Sequence, residues 1–171
     1  SATTPGNATD ARFYSHYYPR RLPAEVLLDA ISSATGTTER FDGYPEGVRA
    51  IQIPNPSSHS QFLKMFGSSE RVTACACERT GDVTLPQLLS LQNGELPNKV
   101  KYGTVLMPLN TKQPDPTQYT EELFLRSLSR LPSADERAAV TKALASGDHT
   151  IEVYRDVLWA LLNAKEFAFN H

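Results

Sequence analysis

The densest run of chemistry-bearing side chains is Arg71-Val72-Thr73-Ala74-Cys75-Ala76-Cys77-Glu78-Arg79, where two thiols one residue apart stand beside a carboxylate and guanidinium groups. In an extended segment both thiols face one side, because side-chain direction alternates along a strand. Two soft donors of this kind suit a metal, yet zinc takes four protein donors at a structural site and three at a catalytic one. The chain has only 2 cysteines. Histidine would have to complete the set, and His16, His59, His149 and His171 are scattered without metal-binding spacing. No metal and no cofactor are therefore expected. Covalent haem attachment needs two cysteines separated by two residues and followed by histidine, a pattern that Cys75-Ala76-Cys77-Glu78 lacks. A bond between Cys75 and Cys77 would close a tight, strained ring that is easily reduced, which suits redox chemistry better than stapling. The preferred reading is plainer: two small buried thiols packing as apolar groups, with Glu78 and Arg79 ordering the loop through an ion pair.

Other arrangements are weaker. Cys77 or Ser60 could be paired with His59 as nucleophile and base. His59 and Ser60 are sequence neighbours at a predicted helix start and need not face one another, and no nucleophile-elbow glycines surround any serine. No phosphate-cradling glycine loop, dinucleotide fingerprint or pair of histidines one helical turn apart is present. Phe13-Tyr14-Ser15-His16-Tyr17-Tyr18-Pro19-Arg20-Arg21 mixes rings with cations. It suits stacking on a sugar or peptide, or, as preferred here, anchoring of the incoming chain with Arg20 and Arg21 pairing to Glu25 or Asp29.

These residues must be carried by a mainly helical scaffold of about six helices with long proline-rich loops and at most a short strand pair. Leu22, Val26, Leu27, Ala30, Ile31 and Ala34 form one apolar stripe, with Pro23 suited to its first turn and Gly36 to its stop. Residues 37–56 are rich in glycine and proline and read as a long ordered loop, within which only Val48–Ile53 could pair as a strand. Reciprocal capping patterns predict helix starts at Ser58 with Gln61, Thr84 with Gln87 and Ser133 with Glu136. Asp115-Pro116 starts another, through Arg130, and a last helix is predicted from about Thr150 to Phe169. The last three helices, joined by short links, should pack as an antiparallel cluster. Trp159, Phe167 and Phe169 are assigned to the core, with a binding groove as the alternative.

A chain of 171 residues, 40% hydrophobic and 21% charged, is one ordinary globular domain with no large basic field, its net charge being −2. Nucleic acid is excluded as principal partner on that ground. No apolar run reaches membrane-spanning length. Residues 1–12 are small and polar at their start and read as a linker or boundary segment rather than a signal peptide, leaving 13–171 as a single helical domain.

Three blocks in order, Pro19-Arg20-Arg21-Leu22-Pro23-Ala24-Glu25-Val26-Leu27-Leu28-Asp29-Ala30, Cys75-Ala76-Cys77-Glu78-Arg79 and Leu85-Pro86-Gln87-Leu88-Leu89-Ser90-Leu91-Gln92-Asn93-Gly94, resemble a planctomycete domain family of unknown function. Leu123–Arg130 and the closing Leu158–His171 strengthen the likeness, which runs from about Phe13 to His171. The resemblance implies the C-terminal part of a larger family domain, in large exported proteins that often carry a cytochrome-c-like module. It brings no catalytic residues. It implies a periplasmic or cell-envelope setting, where a Cys75–Cys77 bond or pairing with outside cysteines is favoured. The expected function is an accessory or interaction module, non-catalytic on its own, with neighbouring domains of its parent or other envelope proteins as partners. The alternative is an extracytoplasmic enzyme, a hydrolase or redox protein, whose site lies near Cys75, Cys77, Glu78, Arg79 and His59.

Overall fold

The computed structural model describes residues 4–7, 9–10, 13, 15–16, 20–54, 60–66, 95–110, 115–146 and 150–170. The fold is mainly helical. In chain order it contains β1 (Arg20–Arg21), α1 (Ala24–Thr35), a 3-10 turn (Ala50–Gln52), α2 (Gln61–Met65), α3 (Glu95–Tyr102), a second 3-10 segment (Thr104–Asn110), α4 (Pro116–Leu128), α5 (Ala134–Ser146), α6 (Thr150–Asn163), α7 (Lys165–Ala168) and β2 (Phe169–Asn170).

Two helices organise the rest. The apolar stripe of α1 buries Leu27, Leu28, Ile31 and Ala34 and packs on both 3-10 segments, α2, α3 and α4. Its end is set by Gly36, whose φ of 68° closes the last turn with N–H bonds back to the Ser32 and Ser33 carbonyls. The second organiser, α6, buries Tyr154, Leu158, Leu161 and Leu162 against α3, the second 3-10 segment, α4, α5 and α7. Helices α4, α5 and α6 also touch pairwise, as short links between amphipathic helices require. Tyr119 of α4 meets Tyr154 edge to face at 4.8 Å and donates its hydroxyl to the Val105 carbonyl at 2.6 Å. Burial pushes the Tyr119 phenol up to about 12.

Local capping places the starts of α4 and α5. Asp115 accepts the Gln118 N–H at 3.3 Å. Ser133 and Glu136 form the reciprocal box, with Ser133 Oγ accepting the Glu136 N–H at 3.2 Å and Glu136 Oε2 accepting the Ser133 N–H at 2.7 Å. Glu136 also ties down Arg130, whose guanidinium binds it through both terminal nitrogens at 2.8 Å and binds Glu166 at 2.6 and 2.9 Å. The same guanidinium lies 5.5 Å from the centre of the Phe124 ring. One cation thus joins the end of α4 to the starts of α5 and α7.

Arg130, followed by the Ser133 N–H, holds the Glu136 carboxyl down at about 2 against an ordinary 4.5. A carboxyl depressed in the folded state contributes stability above its unfolded pKa and loses it as pH falls toward the folded one. Wild-type protein should therefore weaken more steeply between about pH 4.5 and 2 than Arg130→Met, in urea melts taken across that window. Parallel curves would contradict the bridge.

Several expectations change in detail. Val48–Ile53, in the expected loop, does not pair as a strand: residues 50–52 turn as a 3-10 helix, where Asp29 of α1 captures the Ala50 and Ile51 N–H groups at 2.8 and 3.2 Å. The strand pair instead joins Arg20–Arg21 to Phe169–Asn170, antiparallel, with Arg20 opposite Asn170. The last helix breaks at Ala164, whose ψ of 144° is extended, so that Phe167 enters the core and the following residues reach β1. Ser60 caps α2, its Oγ accepting the Leu63 N–H at 3.4 Å, while the start predicted at Ser58 lies outside the described residues.

The aromatics divide. Phe167 is buried as assigned, whereas Trp159 stands 37% exposed and Phe13 83% exposed. Arg21 donates to the Phe66 carbonyl at 3.1 Å and lies 6.0 Å from the centre of that ring, and Arg49 lies beside Asp29 at 3.4 Å. The predicted helix at 84–94 lies outside the described residues.

Candidate functional site

The residues singled out for chemistry, Cys75, Cys77, Glu78, Arg79 and His59, all lie outside the described residues. Ser60 lies inside them and spends its hydroxyl on the N-terminus of α2. Among the described residues no group of three or more His, Cys, Asp or Glu side chains is placed to hold a metal ion. No described helix is long and apolar enough to cross a membrane.

The described residues form a different site. An open cleft of about 640 Å³ runs along α1 between the 37–49 loop and the end of α4, with Phe167 on its wall. That volume falls in the range of small-ligand sites. Serine and threonine hydroxyls dominate the polar lining: Ser32 and Ser33 from the last turn of α1, Thr37 and Thr38 from the loop, Ser127 and Ser129 from the end of α4. Arg49 and Arg126 line it too, as do Asp29 and Glu39.

Both carboxylates are engaged by the fold. Asp29, buried in α1, takes the two N–H groups of the 50–52 turn and faces the Arg49 Nε at 3.4 Å. Asp29→Ala should cost about 1–2 kcal/mol by freeing those amides, and Asp29→Asn, which keeps one acceptor oxygen, should recover part of it in denaturant titrations. A full loss in both variants would assign the effect to the charge on Arg49 instead.

Glu39 is ion-paired to Lys99 of α3, the two side chains being 16% and 10% exposed. Lys99 Nζ also reaches Ser32 Oγ at 3.4 Å. Burial pulls the ammonium down to about 8 from 10.5. The pair sits where the end of α1 approaches α3. Gly103 makes that approach possible: a Cβ there would collide with the Thr35 carbonyl oxygen and stand 2.7 Å from the Lys99 carbonyl oxygen. Thr104 then donates to the Gly36 carbonyl at 2.9 Å.

Two details of the α4 wall stand out. Ser127 Oγ is buried and has no hydrogen-bond partner among the described residues. Ser129 is the one non-glycine described residue with positive φ, at 56°, closing α4 through its N–H to the Leu125 carbonyl at 3.1 Å. Glycine is the usual occupant of such a position, because a Cβ costs about 1 kcal/mol there. Sequence reading passed over this site, although the clustered hydroxyls of 32–38 are its one local signal.

A mainly helical domain with a hydroxyl-lined cleft, its carboxylates held by structural partners, is thus what fold and site define. The chain belongs to PSD1, a family of proteins of unknown function (DUF1553), whose profile matches residues 1–144. The matched span includes the 75–79 block and ends before α6, so the closing Leu158–His171 block lies beyond it. No curated protein and no solved structure matches the chain.

Proposed function

We propose that this chain is a non-catalytic accessory module of a larger exported bacterial protein, contributing a recognition surface rather than a reaction. The observation supporting this is the state of the cleft's ionisable groups. A general base needs a lone pair free to take a proton from substrate. Asp29 is occupied by two backbone amides, and Glu39 neutralises a buried ammonium. What the cleft offers a visitor is hydrogen bonding, through serine and threonine hydroxyls and two guanidinium groups.

The test mixes this chain with the separately produced remaining domains of its parent polypeptide. Association at micromolar concentration, with no turnover of ester, glycoside or disulfide substrates by the chain alone, is the expected result. Absence of association at that concentration overturns the module reading. So does turnover that disappears in Cys77→Ala, which would move the function to the 75–79 segment and make the protein an extracytoplasmic enzyme.

A further inference from the structure

We infer that the cleft along α1 takes an uncharged, hydroxyl-rich ligand of about disaccharide size; this rests on the reading of the chain as a binding module and names what it binds. The argument begins with charge. The four ionisable residues on the wall, Asp29, Glu39, Arg49 and Arg126, cancel formally. Helices α1 and α4 both end at the cleft, at Thr35 and Leu128, so both present the negative ends of their dipoles. Those ends oppose an anion, while the two guanidinium groups oppose a cation. A neutral ligand meets neither penalty.

The polar lining then specifies hydroxyls. Serine and threonine both donate and accept, and guanidinium donates from a planar fork. This mixture matches vicinal hydroxyl groups, which also donate and accept, better than it matches an acceptor-only oxyanion. Val26, Ala30, Val48 and Phe167 supply an apolar strip for the C–H face of a ring.

One feature of the wall is not used by the fold. A buried hydroxyl without a partner costs about 1–3 kcal/mol, and Ser127, a residue of the cleft wall, carries that cost at its Oγ among the described residues.

The test titrates the full chain with cellobiose, xylobiose and maltose, using citrate and spermidine as charged controls, by calorimetry and amide NMR. At least one disaccharide should bind with Kd below about 1 mM. Its shift changes should fall on residues 29–38 and 126–129. Arg126 is half-exposed and, among the described residues, paired to Glu122 within its own helix, so Arg126→Ala will fold; it should weaken binding by about 10-fold, as should Ser127→Ala. Three results overturn the inference: no disaccharide saturating the protein, citrate or spermidine binding more tightly than every disaccharide, or unchanged affinity in both variants. Association with the parent's remaining domains, measured on the same samples, separates the two readings. Association kept without sugar binding removes this inference alone, and sugar binding without association removes only the accessory role.

Discussion

Glu39→Ala should destabilise the domain by about 3–5 kcal/mol, the cost of leaving a buried ammonium without its counter-charge. Lys99 sits 9% exposed between α1 and α3 with Ser32 Oγ as its other polar neighbour, and one hydroxyl cannot replace a carboxylate. The pH dependence follows from proton counting. Lys99 already titrates near 8 in the fold and near 10.5 when free, and losing Glu39 lowers the folded value further. Where the unfolded chain holds more protons than the folded one, stability rises with pH. The deficit of Glu39→Ala relative to wild type should therefore be smaller at about pH 9 than at about pH 6. Adding Lys99→Met should restore most of the loss, because an apolar chain of similar length needs no counter-charge. A deficit independent of pH and unrelieved by Lys99→Met would show that Glu39 acts on the loop by itself.

Gly103→Ala should be of comparable size, about 3 kcal/mol, because the new methyl has no free volume to enter. The atoms it meets are backbone carbonyls of Thr35 and Lys99, which cannot rotate away as a side chain can. The ends of α1 and α3 must separate, and the Lys99 and Glu39 pair loosens with them. Gly47→Ala is the control. Gly47 has a positive φ, 87°, which Gly103 does not, and a Cβ there meets nothing within 4 Å, so only the backbone strain of about 1–2 kcal/mol applies. Urea denaturation of the two variants should rank Gly103→Ala as the more damaging by a clear margin. Equal losses would mean that α1 and α3 are not held at this approach.

The two substitutions act on one junction, and that junction shapes the cleft. Ser32, Thr37 and Glu39 line it at the end of α1, and their positions depend on where α3 stops α1 from moving. Either variant should accordingly disturb ligand binding more than its distance from the visitor suggests.

Helix starts and stops were legible in the residues because they are decided within four positions. The Ser133 and Glu136 box, the Asp115 cap and the glycine stop at 36 each satisfy amides or carbonyls from a neighbour in the chain. Helix α3 was missed because its apolar signal is only Leu96 and Val100, with Pro97 in the first turn. The Val48–Ile53 run has strand-like composition, yet its amides were claimed by Asp29, more than twenty residues earlier. Trp159 obeyed helical spacing but faced outward.

The site divides along the same line. Rare residue types draw attention on their own, so the thiols of Cys75 and Cys77 stood out at once. Common serines, threonines and arginines carry no such mark. By itself the amino-acid order determined a helical domain, the family to which it belongs and most of the places where its helices begin. Only the tertiary structure decided that residues 20–21 and 169–170 pair as strands, that Lys99 is buried against Glu39, and that hydroxyls from residues as far apart as Ser32 and Ser129 share one cleft. The physical reason is range: capping and periodicity act through neighbouring peptide units, whereas a cleft is the space left between surfaces that meet only after the core has packed.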